Sequence, residues 1–116
     1  MYREEILEHY KNPQNFGKLK KYTASSRQLN PFCGDEIEIF IHKHGDSIVN
    51  IGFTGQGCAI SIAGASLLTQ YIKRKSVKEL TTFSDENMLS LLDIEISETR
   101  KKCALLSLRV LKECIG

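Results

Sequence analysis

Glu36-Ile37-Glu38-Ile39-Phe40-Ile41-His42 and, beyond Gly45-Asp46, Val49-Asn50-Ile51-Gly52-Phe53-Thr54 are two runs of strict alternation. A period of two residues puts Ile37, Ile39 and Ile41 on one face, and Val49, Ile51 and Phe53 on the matching face of a second run. The stretch therefore predicts an antiparallel hairpin turning at Gly45-Asp46. Thr23 to Leu29 can pair as a third, weaker strand, with Cys33-Gly34-Asp35 as the connection into the hairpin. From Ala59 the period changes to that of a helix. Ile60, Ala63, Leu67, Tyr71 and Ile72 share one side, and Lys73-Arg74-Lys75 lie at the end, where cations suit the helix dipole. Ser76 and Ser84 read as N-caps of two short helices, the second carrying Met88, Leu89, Leu91 and Leu92. A last helix is expected to begin near Thr99 or Arg100 and to carry Leu105, Leu106, Leu108, Val110 and Leu111. Ahead of the strands, Tyr2 to Lys11 has Ile6, Leu7 and Tyr10 at helical spacing and stops at Asn12-Pro13. Strands first and helices after them predict an α+β fold, a small antiparallel sheet of about three strands with helices packed on one face.

The 116 residues suit one compact domain, 1–116, without repeats or linkers. Hydrophobic residues make up 41%, charged residues 26%, and the net charge is only +2, which is not the profile of a nucleic-acid-binding protein. The N-terminus has no apolar run of the secretory type, and the longest weakly polar stretch, Cys58 to Leu68, is too short for a membrane span. The expectation is a cytoplasmic protein with no nucleic-acid or membrane role. In a reducing compartment its cysteines point to metal or sulfur chemistry before disulfides.

Three of the four cysteines stand at junctions: Pro31-Phe32-Cys33-Gly34-Asp35, Gly55-Gln56-Gly57-Cys58-Ala59-Ile60-Ser61 and Arg100-Lys101-Lys102-Cys103-Ala104-Leu105. Cys33 enters the hairpin and Cys58 leaves it. Antiparallel strands about 5 Å apart bring those two ends together. Cys103, expected at the start of a helix packed on the sheet, can add a third thiolate, and Asp35 makes four donors. Three sulfurs and one oxygen suit tetrahedral zinc, and thiolates are equally the ligands of iron–sulfur clusters. The carboxylate, a harder donor, is the position expected to exchange. Gly55 and Gly57 would let backbone approach the ion, while the helix start at Cys58 and the Lys101-Lys102 pair favour thiolate over thiol. The alternative is that these cysteines are small buried hydrophobes. Cys114 lies eleven residues beyond Cys103, about 16 Å along one helix, and is excluded from the site. His42-Lys43-His44 flank a turn and read as solvated, and His9 as a surface or partly packed residue. Lys18, Lys20 and Lys21 with Arg100, Lys101 and Lys102 read equally as a partner surface or a solvated face.

Asn12-Pro13-Gln14-Asn15-Phe16-Gly17, Pro31-Phe32-Cys33-Gly34-Asp35, Gly57-Cys58-Ala59-Ile60-Ser61 with Ala65-Ser66, and Cys103-Ala104 together resemble the IscU/SufU/NifU N-terminal family of iron–sulfur cluster scaffolds almost end to end. The resemblance implies a SufE/NifU-like α+β fold and a partner that is a PLP-dependent cysteine desulfurase. It also implies a transient [2Fe-2S] cluster delivered to apo iron–sulfur proteins, and Cys33, Asp35, Cys58 and Cys103 as ligands. IscU-type members have His before the third cysteine and a Leu-Pro-Pro-Val-Lys chaperone motif; here stand Lys102 and Ile96-Ser97-Glu98-Thr99-Arg100, so a chaperone partner lacks its motif. SufU-type members are similar in the residue before that cysteine and often hold zinc (Zn2+), but have a longer segment than the 45 positions from Cys58 to Cys103. The function expected is a scaffold that accepts sulfur, binds iron and builds the cluster, with, as the alternative, a zinc-dependent sulfur-transfer protein that accepts persulfide without building it. Lys102 leans toward the second and the short segment toward the first, and only the second makes the chain a sulfurtransferase. Cys33 is the expected sulfur acceptor, by its reach on a loop, with Cys103 as runner-up for its electrostatics.

Overall fold

The computed structural model describes residues 3–31 and 34–116. Along the chain come α1 (Glu4–Lys11), β1 (Ala24–Asn30), β2 (Asp35–His44), β3 (Ser47–Gln56), α2 (Ala59–Ile72), α3 (Val77–Thr81), α4 (Asp85–Leu92) and α5 (Glu98–Ile115). The strands form one antiparallel sheet in the order β1-β2-β3. Ile37, Ile39 and Ile41 point from the central strand into the core, where Phe53, Leu68, Leu106 and Leu108 also lie. Each such side chain contributes about 1.5–3 kcal/mol relative to leaving it in water. None of the helices among the described residues is long and apolar enough to cross a membrane.

The alternation predicted for the second run holds at Ile51 and Phe53 and fails at Val49, which is 45% exposed while Ile48 is fully buried. His42 pairs with Asn50 and Lys43 with Ile48, so Val49 is an extra residue in β3. Such a bulge bends the strand and resets which side chains face inward. Ile48 takes the core position that strict alternation assigns to Val49.

Helix α2 is the centre of the molecule, with Ile60 through Thr69 all buried. Its apolar residues meet the sheet on one side and Ile6 of α1 on another. Ser66 and Thr69 on α2 also hold the turn after α1: Ser66 Oγ lies 2.7 Å from His9 Nδ1 and accepts the Gln14 N–H at 2.7 Å, and Asn15 Nδ2 donates to Thr69 Oγ1 at 3.2 Å. The following residues run along the edge of β3, where Phe53 N–H donates to Asn15 O and Gly17 N–H donates to Phe53 O. The rings of Phe16 and Phe53 meet edge to face at 5.3 Å. Further on, Tyr22 packs on Phe40 and Lys18 lies over both rings. Phe40 faces away from the helices yet is only 3% exposed. The helices thus cover one face of the sheet, and a strap of the N-terminal segment covers part of the other.

Ser76 and Ser84 do cap α3 and α4, the latter with a reciprocal capping box to Asn87. Arg109 on α5 grips Asp85 in the first turn of α4 through two bonds of 2.8 and 3.1 Å, and these hold the Asp85 carboxyl below the usual carboxylate range. Two boundaries differ from expectation. Lys73-Arg74-Lys75 fall beyond the last turn of α2, because Arg74 N–H donates to Ile48 O and Ile48 N–H to Lys75 O, drawing the chain back along β3. Helix α5 starts at Glu98, with Ser97 as N-cap, so Cys103 sits in its second turn and not at its start.

Ser107 on α5 is buried, and among the described residues its hydroxyl is the buried side-chain polar atom with no hydrogen-bond partner. An unsatisfied buried hydroxyl costs about 1–3 kcal/mol, and Ala is the better helix former. Ser107→Ala should therefore raise stability by roughly 1 kcal/mol, and a lower melting temperature would contradict this account. Cys114 packs against the core, its sulfur 3.9 Å from Ile39 O. Burial first, and the Glu113 charge second, push its thiol up to about 11, against a smaller opposing effect of Lys43. Its alkylation rate should climb about tenfold per pH unit from pH 7 to 10; peptide mapping that finds a plateau near pH 9 would show an ordinary thiol instead.

Candidate metal centre

Glu36 pairs with Gln56, which places the start of β2 beside the end of β3 and directly before α2. At that corner Asp35, Cys58 and Cys103 converge. One ligand atom from each lies within 4.8 Å of the others. Asp35 comes from the first residue of β2, Cys58 is the N-cap of α2, and Cys103 reaches across from α5. Cys33 and Phe32 lie outside the described residues, so the fourth expected donor has no described position. Cys114 is not among the converging donors.

Asp35 is 1% exposed. Burying a carboxylate costs free energy unless hydrogen bonds or a cation compensate it. Cys58 N–H donates to Asp35 Oδ1 at 2.9 Å, and Ser61 Oγ donates to Asp35 Oδ2. The carboxylate also sits at the N-terminus of α2, where the helix dipole favours an anion. Cys58 Sγ is 3.7 Å from both Asp35 Oδ2 and Ser61 Oγ. Two thiols and a carboxylate facing one another fit a zinc or iron ion, which would add the positive charge that this set of acids lacks once deprotonated.

Gly57 makes room for the carboxylate. Its φ is +154°, and a Cβ there would lie 2.7 Å from Asp35 Cγ. Gly57 thus admits Asp35, and Gly55 admits the neighbouring strand at Glu36 and Ile37. Cys103 departs from expectation. It is sixth in its helix, so it lacks the free helix start assigned to it, and at 3% exposure it has the restricted access expected of a helix packed on the sheet.

Lys101 pairs with Glu98 at 2.8 Å. With Lys102 and Arg109 it lines a groove of about 360 Å³ floored by Leu29, Pro31 and Leu105. Lys18 belongs elsewhere, on the outer face of the sheet. Sequence reading gave no role to Ser61 beyond its place beside Cys58. Its signal was a hydroxyl in the first turn of a largely apolar helix, three residues after a cysteine.

The profile of the NifU-like N-terminal domain matches residues 1–116. The zinc-dependent sulfurtransferase SufU of Bacillus subtilis is 36% identical over 133 aligned positions that span 100% of this chain and 90% of that protein. The iron–sulfur cluster assembly scaffold protein IscU of Haemophilus influenzae is 28% identical over 99% of the chain and 93% of its own length. Among solved structures, FiSufU of Fervidobacterium islandicum AW-1, assigned to the cluster assembly scaffolds of the SUF system, superposes with a TM-score of 0.88 at 27% identity, covering 99% of this chain and 96% of that one. With the corner of strand ends and helix start built as described and the match running its full length, the chain belongs to the NifU-like N-terminal domain family of iron–sulfur cluster assembly proteins, the family of IscU and SufU.

Proposed function

We propose that this chain serves iron–sulfur cluster assembly as a sulfur acceptor whose thiols are held on a single metal ion, Zn2+ by preference, until a cysteine desulfurase docks. The observation that carries this reading is the mutual approach of Asp35, Cys58 and Cys103 within 4.8 Å. Donors around one tetrahedral ion with bonds of about 2.0–2.3 Å stand close together in this way. The likeness to the Bacillus subtilis sulfurtransferase over the whole chain supports the same reading. When bound, the ion would stabilise thiolate over thiol at Cys33, Cys58 and Cys103.

The acceptor is Cys33. Its thiolate attacks the terminal sulfur of the donor persulfide, the donor's S–S bond breaks, and the donor leaves as a thiolate while Cys33 becomes the persulfide. No oxidant is consumed. Cys103, buried in the second turn of α5, could do this only after local opening, which disfavours it as first acceptor. The second reading, a scaffold that builds a transient [2Fe-2S] cluster on the same four residues for apo iron–sulfur proteins, is supported by the full-length likeness to the Haemophilus influenzae scaffold.

Purified protein should hold one metal ion per chain. Cys33→Ala, Asp35→Ala, Cys58→Ala and Cys103→Ala should each lose most of it, and Cys114→Ala should keep it. Metal retained by Cys58→Ala and lost by Cys114→Ala would overturn the ligand set. Reaction with desulfurase and cysteine should place the first extra sulfur on Cys33, as read by alkylation and peptide mass mapping. Formation of a coloured cluster with ferrous iron, followed by its transfer to an apo-ferredoxin, would favour the scaffold reading; first labelling of Cys103 would exclude Cys33 as the entry point.

A further inference from the structure

Ser61 touches every described member of the candidate centre. Its hydroxyl donates to Asp35 Oδ2, lies 3.7 Å from Cys58 Sγ, and stands 3.3 Å from the carbonyl oxygen of Cys103. It is 1% exposed, so water does not compete for these contacts. One hydroxyl carries one proton, and the close partner for that proton is the carboxylate. The other carboxylate oxygen is taken by the Cys58 N–H. With both oxygens held, and Gly57 leaving no slack behind them, the plane of the carboxylate is fixed relative to the two thiols.

We propose that Ser61 is a positioning residue for the metal: it fixes the orientation in which Asp35 offers its oxygen, and so sets how firmly the carboxylate serves as the one hard donor among thiolates. A carboxylate whose plane is fixed by two donors is a better-aimed ligand than a free one. This inference rests on the reading that the corner binds a metal ion.

The test is a double-mutant cycle on metal affinity. Wild type, Ser61→Ala, Asp35→Ala and the double variant are loaded with Zn2+ and titrated with a chromogenic chelator. The d–d bands of the Co2+ forms report ligand geometry. Ser61→Ala should weaken Zn2+ binding about tenfold, within the range for loss of such supporting bonds, and shift the Co2+ bands. In the Asp35→Ala background it should do neither, and Ser61→Thr should recover most of the wild-type affinity. Affinity of Ser61→Ala within twofold of wild type, or equal weakening with and without Asp35, would overturn the proposal. Should Ser61→Ala not fold, NMR of wild-type Zn2+ protein decides: a slowly exchanging Ser61 hydroxyl proton coupled to the Asp35 carboxyl carbon supports it, and its absence refutes it. Wild-type protein that takes up neither metal would bring down the metal reading itself, a result distinct from a failed cycle.

Discussion

A buried carboxylate at the junction of a sheet and a helix is the constraint around which this molecule is arranged. Asp35 opens the central strand, yet its side chain is held by the N-cap residue of α2 and by a hydroxyl one turn into that helix. Those bonds tie the start of β2, the end of β3 and the start of α2 into one corner. Without them an acid with almost no exposure to water would destabilise the fold. The same bonds leave the carboxylate facing two thiols, so the solution to the burial problem also builds the site.

The rest of the architecture follows from holding that corner still. Helix α2 is buried along nearly its whole length, wedged between the sheet, α1 and α5, and cannot shift without disturbing the core. Helix α5 brings Cys103 from the far side, and its own position is secured by Leu106, Leu108, Val110 and Leu111 in the core, with Arg109 gripping Asp85 at the surface. The carboxylate and the two thiols are thus fixed relative to one another by the core itself.

How much of this was legible in the sequence depended on whether the deciding interaction was local. Ile37, Ile39 and Ile41 announce their strand because alternation is a local property, and Ser84 announces α4 because its cap bond spans three residues. Val49 misleads because a bulge depends on how two strands pair, which no single run records. The start of α5 is misplaced because Ser97 makes no side-chain cap bond and leaves a weak signal. At the site, Asp35, Cys58 and Cys103 stand out by their glycine, acid and lysine neighbours. The role of Ser61 does not, since its partner lies 26 residues away.

The strap after α1 has a further consequence for solubility. β3 is an outer strand of the sheet, and the backbone of Phe53 on that edge is paired with Asn15 and Gly17, while the Phe16 ring shields its side chain. A bare edge with apolar side chains invites strands of other molecules to add to it. Because the strap is latched to α2 through Ser66 and Thr69, the hydroxyls that look like incidental polar residues in an apolar helix act as guards against self-association. The N-terminal turn is in this sense a lock on the sheet's open side, and a chain that loses it exposes a template for aggregation at the edge farthest from β1.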